Sequence, residues 1–382
     1  MLSKIQQIFQ FGWNDYCSSF QPTAVQYKAA RSIMQCKSGA LGCNIQVCSD
    51  CGHTVIHNNS CRNRNCPNCQ AVLKEIWIDA RKSEVIDTPY FHVVFTIPAE
   101  LNPLVYANQE SLYALLHKCS SETLLELADD KKYLGAMPGI IQVLHTWGQT
   151  LNFHPHIHSI VTGGGLDKAM KLRKSGTNFF IPVKVLGKKF RGKFLSYLQA
   201  LYEDKKLRIS ESCGDLHNSF SWKEFRDSLY KKDWCPYIKE TFNGFGNAIE
   251  YLGRYTHRIA ITNTRIQSVS EASVIFAAKN YKTGQDETVC ISCKEFIRRF
   301  MMHVLPSGFQ KIRYYGFLNN RSKKKKLALI FKLQGHQRFR SMFTGMSVAD
   351  VLKAAWDYDI SVCPCCGRSS MRHAGRTYAL RH

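Results

Sequence analysis

Apolar residues recur in two rhythms along this 382-residue chain, and the two rhythms divide it into helices and strands. Over residues 1–40, Ile5, Ile8, Phe9, Gly12 and Trp13 approximate one stripe at helical spacing, so this stretch reads as helical. Residues 90–97 form an unbroken run of strand formers, ended by Pro98. Around 111–128, Leu112, Leu115, Leu116, Leu124 and Leu127 fall on the inward face of a second helical region. Residues 140–147 and 156–162 predict two more strands, with Gly163, Gly164 and Gly165 as a turn after them. Residues 166–245 read as an insertion: a strand over 179–186, a basic helix over 188–202, and a mixed segment around Trp222 and Trp234. Beyond it come a helix over 247–257, a strand-like 259–262, a hairpin across 281–287 and a helix over 295–304 that stops at Pro306.

Composition adds a partner to this outline. With 45% hydrophobic and 12% aromatic residues the chain can fill packed cores. Its 52 Lys+Arg against 29 Asp+Glu leave a formal charge of +23, which implies a polyanion. Cations alternate with aromatics in Lys311-Ile312-Arg313-Tyr314-Tyr315, a pattern suited to single-stranded nucleic acid, where bases stack and phosphates pair with cations. The N-terminus lacks the apolar core of a signal peptide, and no apolar run is long enough to span a bilayer. These features predict a cytoplasmic protein with no membrane partner. No Gly-x-x-x-x-Gly-Lys-Ser/Thr loop occurs, so ATP is not expected as a partner.

Two short motifs carry the chemistry. In an extended strand His154, His156 and His158 share a face, with neighbours roughly 6.5–7 Å apart. Two imidazoles so placed can close on one divalent metal, and His154, His145 or Gln149 is open as the third ligand. Tyr251 and Tyr255 lie one helical turn apart, as aromatic core residues also do. Here Arg254, His257 and Arg258 are interleaved with them, giving phosphate-binding charge beside two phenols. Gly253 sits between them at a cost of ~1 kcal/mol relative to Ala, which suits close approach by a ligand or a neighbouring element. A phenol that attacks phosphorus needs charge stabilisation, and a metal on the phosphate oxygens supplies it. A phosphotyrosine conserves the bond energy, so rejoining needs no ATP.

Several of the sixteen cysteines fall in metal-knuckle spacings. Cys48-x-x-Cys51 and Cys66-x-x-Cys69 predict one structural Zn²⁺ held by four thiolates, with Cys61 as the substitute ligand. Arg62 and Arg64 would present cations to phosphate from the loop between the knuckles. Cys363-x-x-Cys366 is half of a second zinc site, its complement being His373, His382 or another region of the chain. Cys290 and Cys293 read as core.

Taken together, these segments resemble the two-tyrosine rolling-circle transposases of the insertion sequence 91 family, within the nucleases named for a His-hydrophobe-His (HUH) strand. The matching stretches are Cys48 to Cys69, His92 to Pro98, His145 to Gly148, His154 to His158, Tyr251 to Arg258, Phe296 to Phe300 and Arg313 to Gly316. They run in order through nearly the whole chain; Cys365 and the Cys290/Cys293 pair depart from the family pattern. The resemblance implies an α+β fold: an HUH nuclease core with a central antiparallel sheet flanked by helices, an N-terminal zinc-binding module and a basic C-terminal region. It implies Mg²⁺ or Mn²⁺ on His156 and His158, and Tyr251 and Tyr255 as nucleophiles. It further implies single-stranded transposon-end hairpins as substrate, with host replication machinery as a further partner. The expected organisation is a helical segment over 1–40, a zinc module over 41–86, the nuclease domain over 87–265 and a DNA-binding region over 266–382. A rolling-circle replication initiator would share this chemistry, whereas a zinc-ribbon regulator would bind DNA without cutting it.

Overall fold

The computed structural model describes residues 2–176, 179–240, 253, 260–280, 283–335 and 340–378. The expected helix over 247–257, and with it Tyr251, Arg254, Tyr255 and Arg258, lies outside the described residues, apart from Gly253.

Two amphipathic helices open the chain, α1 (Lys4–Ser19) and α2 (Ala24–Gln35), each started by a hydroxyl residue with Gln three places on. A β-ribbon follows, β1 (Cys43–Cys48) and β2 (Thr54–Asn58), and then α3 (Ala71–Lys82). The next stretch comprises β3 (Tyr90–Thr96), α4 (Asn102–Ala107), α5 (Gln109–Asp129), β4 (Met137–Trp147), β5 (Phe153–Leu166) and the short β6 (Leu172–Lys174). After α6 (Val183–Glu203), α7 (Ser219–Lys231) and β7 (Tyr237–Glu240) comes a small antiparallel sheet. Its strands are β8 (Ile266–Val269), β9 (Val274–Lys279) and β10 (Asp286–Ile291). The chain ends with α8 (Cys293–Met301), β11 (Ile312–Gly316), α9 (Lys323–Gln334), α10 (Val348–Trp356) and β12 (Met371–Arg376).

The central sheet runs β11-β4-β5-β3-β7, with β6 added to β5, and each of its pairings is antiparallel. Its two faces carry different chemistry because side chains alternate along each strand. Val93, Phe95, Ile140, Leu144, Ile157 and Val161 point into a core with α5 and α6. Tyr90, Ile141, Val143 and Ile160 point the other way, against Ile78 of α3 and Leu327 and Ile330 of α9. The second face also carries the histidines. A separate core joins α1, α2 and α8 to the β8-β9-β10 sheet through Ile5, Ile8, Phe9, Ile33, Phe276, Phe296 and Phe300.

Four expectations need correction. Of the strand-like stretch expected over 259–262, residues 260–262 are described and form no strand. Gly163–Gly165 do not turn: they extend β5, and neighbouring chain presses on them so closely that a Cβ at Gly165 would lie 2.0 Å from the Met137 carbonyl oxygen. The strand expected over 179–186 is absent; the chain enters α6 at Val183 after Pro182, so that Leu186, Phe190, Phe194 and Leu198 form one buried helical stripe. The zinc module is not confined to residues 41–86, since β12, from the end of the chain, completes a three-stranded sheet beside β1 and β2.

Gly165→Ala should therefore destabilise the sheet by ~1–3 kcal/mol, because the obstacle is backbone and cannot swing aside. A lowered thermal midpoint checks this, whereas Gly176→Ala, with open space around its Cβ position, should leave the midpoint unchanged.

Candidate metal centre and DNA-processing site

Strand β5 delivers the histidines. Pro155 is tolerated there because the β3 pairing begins only at Thr96–His156 and the β4 register shifts between His145 and Trp147, so no ladder bond needs its missing N–H. His156 and His158 are both buried, and their Nε2 atoms face each other 3.0 Å apart. His145, opposite His156 on β4, brings a third ring, 4.4 Å from that of His158 between centroids. One ligand nitrogen from each of the three lies within 4.8 Å of the others. His154 is not in this group; its ring lies 5.1 Å from that of His156, and its main chain does the work described next.

The other ring nitrogen of His156 and that of His158 each have a partner. The His154 carbonyl oxygen lies 2.6 Å from His156 Nδ1. A carbonyl can only accept, so the His156 proton sits on Nδ1 and the Nε2 lone pair is left toward the cluster. His158 Nδ1 lies 2.8 Å from Nε2 of the buried His92, whose ring is parallel to it. With Nδ1–H of His158 donating to His92, the His158 Nε2 lone pair also points inward. Burial, reinforced by the neighbouring His154, pushes the His156 pKa down to about 3, so the imidazole is neutral at ordinary pH. Neutral imidazoles with converging lone pairs are metal ligands, and a spacing near 3 Å is that of adjacent positions on an ion with bonds of ~2.1 Å.

The cysteines form two quartets. Cys36, Cys61, Cys66 and Cys69 make one, and Cys48, Cys51, Cys363 and Cys366 the other. Sulfur separations are 3.7 Å for Cys61–Cys69, 3.7 Å for Cys48–Cys366 and 3.6 Å for Cys51–Cys363. Tetrahedral Zn²⁺ with Zn–S bonds of ~2.3 Å sets neighbouring sulfurs ~3.8 Å apart, so both clusters suit zinc. This grouping differs from the expected one: the structure does not bring Cys48 and Cys51 together with Cys66 and Cys69. Cys61 stands within the first quartet beside Cys36, a residue without a knuckle partner in sequence. The terminal knuckle finds its complement in another region of the chain, Cys48 and Cys51, rather than in His373; His382 lies outside the described residues. Of the other expected pair, Cys293 is buried and Cys290 is exposed.

The loop arginines part company as well. Both are exposed, but Arg64 directs its guanidinium to the carbonyl oxygens of Phe309 (2.6 Å) and Pro306 (2.7 Å), tying the loop to the segment before β11. Gly253 is helical and buried against α3, where a Cβ would lie 2.2 Å from Ile78 Cδ1. The close approach expected there is thus made by a neighbouring element.

Comparison with known proteins bears on this combination of histidine strand and thiolate clusters. A family model described as a transposase zinc-binding domain matches residues 8–97, and one described as a putative transposase matches residues 139–326. The chain is 40% identical over 315 residues to the putative transposase y4qJ of Sinorhizobium fredii, covering 82% of this chain and 79% of that protein. The chain belongs to the insertion sequence 91 transposase family. It is also 28% identical over 303 residues to the transposase for insertion sequence element IS801 of Pseudomonas savastanoi pv. phaseolicola, covering 78% of this chain and 71% of that protein. No solved structure matches it. As a member of this family it is an HUH-like enzyme of DNA strand transfer, with a zinc-binding domain at its N-terminal end and a histidine cluster that fits the HUH motif. Among the described residues no helix is long and apolar enough to cross a membrane.

Two zinc ions per chain are the expected metal content, measured by elemental analysis of the purified protein. Cys36→Ser and Cys363→Ser should each remove one ion; a single zinc that both substitutions abolish would contradict the two-quartet geometry.

Proposed function

We propose that this transposase nicks and rejoins single-stranded DNA at transposon ends by tyrosine attack, with Mg²⁺ or Mn²⁺ held by His145, His156 and His158. The observation that carries the reading is the pair of buried Nε2 atoms 3.0 Å apart, with the His156 proton fixed on Nδ1 by the His154 carbonyl and His158 Nδ1 paired with His92. A divalent ion bound there would polarise the scissile phosphate and stabilise the charge that builds on its oxygens. His92 and the His154 carbonyl are the positioning groups, holding ring orientation and tautomer.

In this reading Tyr251 and Tyr255 are the nucleophiles and Arg254 and Arg258 their phosphate partners. The phenolic oxygen forms a bond to phosphorus and loses its proton to solvent, while the bond to the 3′ oxygen breaks and that oxygen takes up a proton from solvent to leave as the 3′ hydroxyl. A 5′-phosphotyrosine results. Two such residues allow two transfers in succession, as rolling-circle transposition requires. Support comes from Gly253, which lies between the tyrosines in sequence and packs on Ile78. Ile78 belongs to the core on the histidine-bearing face of the sheet, together with Ile141, Val143 and Ile160. The thiolate quartets take Zn²⁺ as structural ions: Cys36, Cys61, Cys66 and Cys69 hold one, and Cys48, Cys51, Cys363 and Cys366 the other.

Incubation with labelled single-stranded element ends, followed by denaturing electrophoresis, should reveal a covalent protein–DNA adduct. Mn²⁺ should support it better than Mg²⁺, because imidazole nitrogen is a poorer ligand for the harder ion. Tyr251→Phe/Tyr255→Phe should abolish the adduct and retain strand binding. An adduct that survives in that variant would refute the tyrosine assignment.

A further inference from the structure

A groove of about 830 Å³ opens beside the histidine cluster, and the catalytic reading leaves it without a task. One wall is the loop around Cys66 and Cys69, with Asn65, Gln70 and Leu73; the other is the edge strand β11 and the residues that lead into it. Trp147 stands at the end nearest the metal centre. Its ring stacks on that of His145, 4.6 Å away between centroids and tilted by 19°. The groove therefore begins one aromatic ring from the imidazoles.

Its lining matches one class of ligand. The Lys311 ammonium lies 5.0 Å over the Trp147 ring, and the Arg313 guanidinium lies 5.1 Å over that of Phe309. A lysine chain is flexible enough to turn aside for a base while keeping its ammonium near the adjoining phosphate. Half-buried Trp147, Tyr314 and Tyr315 line it together with the half-buried cations Lys311 and Arg313 and several side-chain amides, a combination that recurs wherever a single strand is held by stacking and charge. Among the described residues, no acidic side chain lines the groove. Inside a duplex each base face is covered by the neighbouring pairs, so a stacking platform selects unpaired strands.

We propose that this groove seats the unpaired DNA adjoining the scissile phosphate, with Trp147 as a base-stacking platform and Lys311 and Arg313 as phosphate contacts. The proposal rests on the strand-transfer reading above, and it gives the first thiolate quartet a role in strand binding. Cys61, Cys66 and Cys69 fix the loop that carries Asn65 and Gln70, and Arg64 clasps that loop to the carbonyls of Pro306 and Phe309. The metal-held module thus forms one side of the DNA path.

The test uses the full-length Tyr251→Phe/Tyr255→Phe chain, which leaves the strand intact, and a mixed-sequence single strand substituted with 5-iodouracil. Ultraviolet crosslinking followed by peptide mapping should attach the DNA at Trp147, and an unlabelled single strand should suppress this more effectively than a duplex. Trp147→Ala should weaken binding about tenfold, with most of it restored in Trp147→Phe. Lys311→Gln and Arg313→Gln should each lower the slope of log affinity against log salt by about 0.7. These two replacements keep the test decisive if the tryptophan variant fails to fold. Crosslinks that map elsewhere, together with unchanged affinity and salt slope in the lysine and arginine variants, would overturn the proposal. Groove crosslinks in a protein whose wild-type form makes no adduct would support the groove and count against the tyrosine chemistry alone. An adduct without groove crosslinks would do the reverse.

Discussion

Two imidazole nitrogens, Nε2 of His156 and of His158, are held 3.0 Å apart in a buried site, and the rest of the architecture is arranged around that pair. Protonation of His156 is opposed by burial, and its Nδ1 is already committed to the His154 carbonyl. His158 is held by His92 from the neighbouring strand. A cation between the rings satisfies all of these groups at once. Rigidity comes from the sheet: β5 is paired on both sides, and Ile157 and Leu144 anchor its reverse face in the core with α5 and α6.

The thiolate clusters impose a second constraint, on topology. Cys48 and Cys51 lie more than 300 residues from Cys363 and Cys366, yet their sulfurs approach to 3.6–3.7 Å and β12 pairs with β1 beside them. The two ends of the chain therefore build one small module. The other quartet is local, joining the end of α2 to the loop before α3, and Arg64 carries that loop to the segment leading into β11. Since β11 is itself an edge of the central sheet, both ends of the chain are tied to the core that bears the histidines.

How legible each feature was in the sequence follows from the range of the interaction behind it. Alternation along 154–158 announced a histidine face because strand geometry alone dictates it. The choice of His145 over His154 depended on the register of β4 against β5, which no local pattern encodes. Knuckle spacing marked cysteines as ligands but could not pair them. Cys36 has no neighbour at knuckle distance, and Cys48 and Cys51 find their partners at the far end of the chain. Three successive glycines suggested a turn, yet Gly164 and Gly165 are small because Thr88, Arg173 and Met137 press on them, a packing reason invisible in composition. Val183 and Leu186 looked like strand formers until the stripe they share with Phe190 and Phe194 placed them in a helix. Arg64 looked like a free cation, and its carbonyl partners lie some 240 residues away.

The account stands or falls on imidazole ligation beside the DNA-processing chemistry. Pulsed electron paramagnetic resonance of the protein loaded with one equivalent of Mn²⁺ examines that ligation without requiring turnover. Nitrogen hyperfine coupling from imidazole should be present in the wild type and lost in His156→Ala/His158→Ala. Mn²⁺ that binds with no nitrogen coupling, or whose coupling is indifferent to those replacements, would contradict it.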